Sequence, residues 1–133
     1  MWWNEYVGLP YRIYGRDSDG CDCWGLVRLV QREVFGREFP SFAKEYLDPN
    51  NKTCLAKAIG SHMDEWHPVP PGTEDSGDVV LLLIGGIPCH VGVVTTPGFM
   101  LHVSRTINAT VEPYRSMRWA SRVEGVYRHA ESR

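Results

Sequence analysis

The chain has 133 residues, 43% of them hydrophobic and 23% charged, with a formal net charge of −2. That length suits a single domain, taken as residues 1–133, with enough chain to bury a sizeable core. Scattered Arg and Lys, slightly outnumbered by acids, exclude the basic footprint of a nucleic-acid partner. No apolar run approaches the roughly 20 residues that span a bilayer, so no membrane partner is expected.

The N-terminal Met1-Trp2-Trp3-Asn4-Glu5 lacks the basic region and long apolar core of a secretory signal. The expectation is therefore a chain made in the cytoplasm and carried elsewhere only by other machinery. Four cysteines, at positions 21, 23, 54 and 89, are expected as mostly free thiols. No leader supports an oxidising route, and one intervening residue strains a Cys21–Cys23 disulfide.

Residues 2–7 read as a short helix whose aromatic residues cover the core. Residues 8–22 are broken by Gly8, Pro10, Gly15, Asp17, Asp19 and Gly20 into turns. From 23 to 35, Cys23, Trp24, Leu26, Val27, Leu29, Val30, Val34 and Phe35 fall at helical spacing, with Asp22 as cap and Gly36 as stop. Pro40 and Pro49 mark a loop, and the apolar period over 51–66 predicts a second amphipathic helix. His67 through Asp78 is a Pro/Gly/acid-rich connection. Beyond it the period changes to that of strands: Val79–Ile84, Cys89–Thr95, Phe99–Ser104, Ala109–Glu112 and Arg122–Arg128, joined by short turns that favour antiparallel pairing. Helices first and a five-stranded meander second imply an α+β fold with the helices packed on one sheet face.

The chemistry concentrates where the glycine-rich loop becomes the first long helix. A cysteine there, Cys23, sits in the field of unpaired helix N–H groups, which favours thiolate. A histidine on a neighbouring element makes such a thiol a nucleophile. If Val94 faces Gly98 across a three-residue loop, His90 stands directly opposite His102 with Cβ atoms about 5 Å apart. The second imidazole then orients the first, a nucleophile–base–orienter arrangement.

Five motifs lie in order along nearly the whole chain: Pro10-Tyr11 with downstream glycine, Asp22-Cys23-Trp24-Gly25-Leu26-Val27, Gly77-Asp78-Val79-Val80, His90-Val91-Gly92-Val93-Val94 and Met100-Leu101-His102-Val103-Ser104. In these the chain resembles the NlpC/P60 cell-wall cysteine peptidases. The resemblance implies a circularly permuted papain-like fold and an amidase or endopeptidase acting on peptidoglycan stem peptides, with no cofactor and no metal. It implies Cys23 as nucleophile, His90 as general base and His102 as polar third member. Tyr11 resembles a site-lining tyrosine that assists oxyanion or substrate, and Asp22 the acid that receives a stem-peptide amine. Trp24 stands where most members have serine, which puts that amine contact in doubt and makes Trp24 core or a wall of the substrate cleft. The Asp-Cys-Trp-Gly-Leu-Val variant, with Gly-Leu-Pro upstream, resembles the phage tail-associated branch, so other tail proteins and a virion-borne location are expected.

Three other readings compete. One is a structural tail component with an unused site, which the intact Cys23, His90 and His102 disfavour. Another is a thiol acyltransferase using the same cysteine. The third is a metal site from Cys21, Cys23, Cys89 and His90, whose spacing lacks the usual C-x₂-C loops.

Overall fold

The computed structural model describes residues 1–39 and 66–130. Its elements are a 3₁₀ turn over Trp2–Glu5, strands β1 (Arg16–Asp17) and β2 (Gly20–Cys21), helix α1 (Cys23–Phe35), and strands β3 (Trp66–Pro68), β4 (Val79–Ile84), β5 (Ile87–Val94), β6 (Phe99–Ser104), β7 (Ile107–Pro113) and β8 (Val123–His129). α1 is the one α-helix among the described residues, and the expected helix over 2–7 is only the 3₁₀ turn. Of the helix expected over 51–66, residues 51–65 lie outside the described residues, as does Cys54, and Trp66 opens a strand.

The bounds of α1 follow from its punctuation. The Asp22 carboxylate accepts the Gly25 N–H at 2.8 Å, and Gly36 ends the helix in the left-handed region at φ 67°. Leu26, Val27, Leu29 and Val30 are buried against one face of the sheet.

That sheet is wholly antiparallel, in the order β3-β8-β4-β5-β6-β7. It has six strands rather than five, because Trp66–Pro68 pairs with the end of β8, Trp66 facing His129. Side chains alternate across it. Val79, Leu81, Val91, Val93, Leu101 and Val103 join α1 in one core, while Val80, Leu82, Val94, Met100 and Val126 form a second core with Tyr114 and Trp119. Burial on both faces explains why β4 is a continuous apolar run rather than an alternating one.

The β5–β6 hairpin differs from its expected register. Val94 faces Met100 and Val93 faces Leu101, and the Thr95 N–H donates to the Phe99 carbonyl at 3.0 Å. The loop still has three residues, but they are Thr96-Pro97-Gly98. Its last position takes a left-handed backbone, φ 93° at Gly98, which glycine adopts without strain. The shift of two residues sets His102 opposite the Gly92 position and leaves His90 and His102 diagonal on the same face.

Register shifts interrupt three strand pairs at one end of the sheet: between Leu81 and Leu82, Leu82 and Leu83, and His102 and Ser104. In the second, Leu82 faces His90 and Leu83 faces Pro88, so Cys89 is the unmatched residue. Such bulges bend a strand and re-aim its side chains. His90 and His102 lie at this bent end.

Candidate active site

The thiol arrives from the helix and the imidazoles from the sheet. Cys23 is the first residue of α1 and is 8% exposed. The backbone N–H groups of Val91 and Trp24 lie near its sulfur and favour its ionised form. Val91 is the β5 residue next to His90, so the sulfur faces the strand that carries this imidazole. A two-stranded ribbon, β1–β2, packs against that tip, and the turn leading into it comes close enough that a Cβ on Gly25 would lie 1.9 Å from the Gly15 carbonyl oxygen. Only glycine permits this approach.

His90 Nε2 and His102 Nδ1 are 2.9 Å apart, and His102 Nε2 lies 2.5 Å from the Glu112 carboxylate. The diagonal contact is open because Gly92 has no side chain between them. A Cβ there would sit 3.3 Å from the His102 Cβ. Glu112 Oε2 also accepts the Trp119 indole N–H at 3.1 Å, and Oε1 accepts from Arg118 at 3.1 Å. Trp119 stacks on His90, centroids 6.0 Å apart and planes 17° apart, and meets His102 edge-on at 5.4 Å.

This chain of contacts fixes protons. A carboxylate only accepts, so His102 donates through Nε2 and presents its Nδ1 lone pair to His90. His90 then donates through Nε2, leaving Nδ1 as the ring nitrogen with a free lone pair. Glu112 thus sets both tautomers. It was missed in the sequence, although continuing the meander signalled it: β7 runs back along β6 with His102 facing Thr110 and Met100 facing Glu112, one diagonal step from His102.

Burial keeps the resting groups uncharged. Desolvation, then the neighbouring charge of Asp22, pushes the Cys23 thiol up to about 12, against the Val91 and Trp24 hydrogen bonds. Desolvation and then His102 push His90 down to about 3. His102 is also lowered by burial, with Glu112 opposing. Glu112 is raised by burial but lowered on balance by its bonds from His102 and Trp119. Desolvation thus works against the thiolate expected at the helix tip, and favours thiol and neutral imidazole for the pair.

Of the other residues singled out, Tyr11 lines a cleft of about 340 Å³ with Cys23, His90, His102 and Trp119, and its backbone bridges to Cys21. Asp22 does not line that cleft. It is buried, capping α1 and bonded to Arg16 at 2.6 Å. Trp24 is buried in the helix-side core, stacked on Phe39 at 6.4 Å, and is also absent from the described cleft wall. Cys21, Cys23 and Cys89 are in no disulfide. No group of three or more His, Cys, Asp or Glu among the described residues is arranged to hold a metal ion.

A model of the NlpC/P60 family matches residues 8–128. The chain belongs to that family. Among curated relatives, the murein DD-endopeptidase MepS/murein LD-carboxypeptidase of Escherichia coli strain K12 is 27% identical over 119 residues, 86% of this chain and 55% of that protein. The gamma-DL-glutamyl hydrolase of Bacillus subtilis strain 168 is 28% identical over 129 residues, 94% of this chain and 27% of that protein. The chain thus spans about half the length of the first and about a quarter of the second. The solved NlpC/p60 domain of the peptidoglycan hydrolase SagA aligns with a TM-score of 0.62 at 19% identity, over 94% of this chain and 91% of that one. This likeness concerns the fold.

Proposed function

We propose that this NlpC/P60 domain is a cysteine hydrolase that cleaves amide bonds in peptidoglycan stem peptides. The observation that carries the reading is Cys23, at the tip of α1, lining one cleft with a His90–His102–Glu112 relay. The two curated relatives, named as a murein peptidase and a glutamyl hydrolase, and family membership support the same class.

In this reading His90 Nδ1 takes the Cys23 proton as the sulfur attacks the amide carbonyl carbon. A neutral resting pair makes proton transfer part of the attack rather than a step before it. The oxyanion is held by the Cys23 N–H, since the cap takes up the Gly25 and Leu26 N–H groups, with the Tyr11 hydroxyl as the second donor. Collapse breaks the C–N bond, and the amine leaves with the proton from His90. Water, deprotonated by His90, then releases the acyl group from sulfur. His102 orients His90 throughout.

Carriage on a phage tail, at the virion rather than in the cytoplasm, belongs to the same proposal and rests on the Asp-Cys-Trp-Gly-Leu-Val motif variant. The decisive experiment is mass spectrometry of purified peptidoglycan after digestion. The intact protein is expected to release stem-peptide fragments and Cys23→Ala none. Release that persists in Cys23→Ala, or no release by the intact protein from several peptidoglycan types, would overturn it.

A further inference from the structure

The cleft beside Cys23 is lined by three arginines, Arg105, Arg118 and Arg122, and by no aspartate or glutamate among its described lining residues. All three arginines are exposed. Arg118 shares Glu112 at 3.1 Å yet keeps its side chain 54% exposed. Arg105 and Arg122 make no ion pair among the described residues. The Arg118 and Arg122 guanidinium carbons lie 5.2 and 5.7 Å from the centre of the Trp119 ring, the same ring that stacks on His90. Two cations are therefore anchored against an aromatic plate adjoining the general base. Arg105 stands near Tyr11 and acts on its hydroxyl.

The one acid that the sequence offers for binding an amine is already spent. Asp22 has its side chain 5% exposed, capping α1 through the Gly25 N–H and bonded to Arg16. Arg16 itself comes from the ribbon that braces the helix tip. Glu112, the nearest carboxylate, is taken up by His102, Trp119 and Arg118, so an incoming ammonium would meet the two guanidinium groups of Arg105 and Arg122 without an acid to receive it, whereas a carboxylate would find in them donors suited to bidentate contact.

From this we infer that the cleft selects its peptide by a carboxylate beside the scissile amide, received by Arg105 and Arg122 with Arg118 adjacent, and not by a free amine at Asp22. This rests on the hydrolase reading above and names its substrate preference. The arginines are specificity residues and take no part in bond breaking.

The test measures binding, so that it stands apart from turnover. Stem peptides freed from purified peptidoglycan are prepared in three forms: native, with carboxylates converted to carboxamides by carbodiimide and ammonium, and with amines acetylated. Each is titrated calorimetrically into the Cys23→Ala protein. The native form is expected to bind about tenfold more tightly than the carboxamide form. Acetylation is expected to change affinity less than twofold. The preference should collapse in the added double variant Arg105→Gln/Arg122→Gln, and shrink as salt is raised to about 0.5 M. Equal affinity of native and carboxamide forms, loss of binding on acetylation, or no measurable binding of the native form would each overturn the inference. A carboxylate preference that persists while the intact protein cleaves nothing would sink the hydrolase reading alone.

Discussion

Glu112 is a carboxylate at one-fifth exposure that takes two donors on one oxygen, the His102 imidazole and the Trp119 indole. Charge-assisted bonds of this type contribute roughly 1.5–3 kcal/mol. Replacing it by glutamine keeps the size but offers an amide N–H that can face His102 as a donor, which frees His102 to flip its tautomer. Glu112→Gln is expected to lower kcat about 10- to 100-fold with little change in KM, because the residue acts through His102 and does not touch substrate. An unchanged kcat, or a loss appearing mainly in KM, would show that the tautomers are fixed by something else. Trp24 lies at the opposite extreme. It departs from the usual family pattern, yet its indole is packed on Phe39 in the core, so its place in the motif does not make it a contact for substrate.

At the scale of elements, the helix tip and the sheet end must meet within a fraction of an ångström. The turn that leads into the β1–β2 ribbon packs on the tip through the close approach of Gly15 to Gly25. A methyl group there would collide with the Gly15 carbonyl at 1.9 Å and push either the ribbon or the tip away. Gly25→Ala is expected to cost about 1–3 kcal/mol in urea unfolding, as overpacking does, and to lower kcat/KM by more than tenfold. Full activity in that variant would mean that the ribbon does not position Cys23.

The same elements show what was legible in the sequence. Asp22 and Gly36 punctuate α1 so sharply that its predicted bounds, 23–35, match those observed. Val79–Ile84 and Phe99–Ser104 likewise match, since apolar runs and flanking turns bound both. The hairpin register was read two residues out because the loop was placed by pairing and not by Gly98's need for a left-handed backbone. β3 was missed because Trp66-His67-Pro68 has no local strand period. It pairs only because β8 offers an edge. Cys23, His90 and His102 were legible as motifs and are brought together. Glu112 was not, since a glutamate in a half-exposed strand looks like any solvated residue until its partner strand is known. Burial, which works against the thiolate expected at Cys23, is a property of the assembled fold and has no local signature.

Across the whole molecule, burying neutral histidines links stability to pH. His90 is held far below its usual range, and His102 is lowered as well. Both stay neutral when folded, whereas the unfolded chain takes up protons below about pH 6.5. Their contribution is therefore full above that pH and is lost as pH falls toward the folded-state values. Each histidine contributes a slope of up to about 1.4 kcal/mol per pH unit in that window. From pH 6.5 to 5, His90 alone amounts to roughly 2 kcal/mol. The raised Cys23 acts with the opposite sense, its contribution present below about pH 9 and fading as pH climbs toward 12. Maximum stability is thus expected between about pH 6.5 and 9. Urea unfolding at pH 5 and 7.5 should show the gap between them narrow by roughly 2 kcal/mol in His90→Asn. An equal gap in both proteins would show that His90 titrates normally when folded.

A covalent bond between substrate and the helix-tip sulfur is the most direct signature of the proposed chemistry. Acid quenching during turnover of stem peptides, followed by intact-mass and peptide mapping, should find an acyl thioester on Cys23. The adduct should vanish in His90→Ala, in which nothing removes the thiol proton. Turnover with no adduct on Cys23, or an adduct mapped to Cys21 or Cys89, would contradict the assignment of this cleft as the catalytic centre.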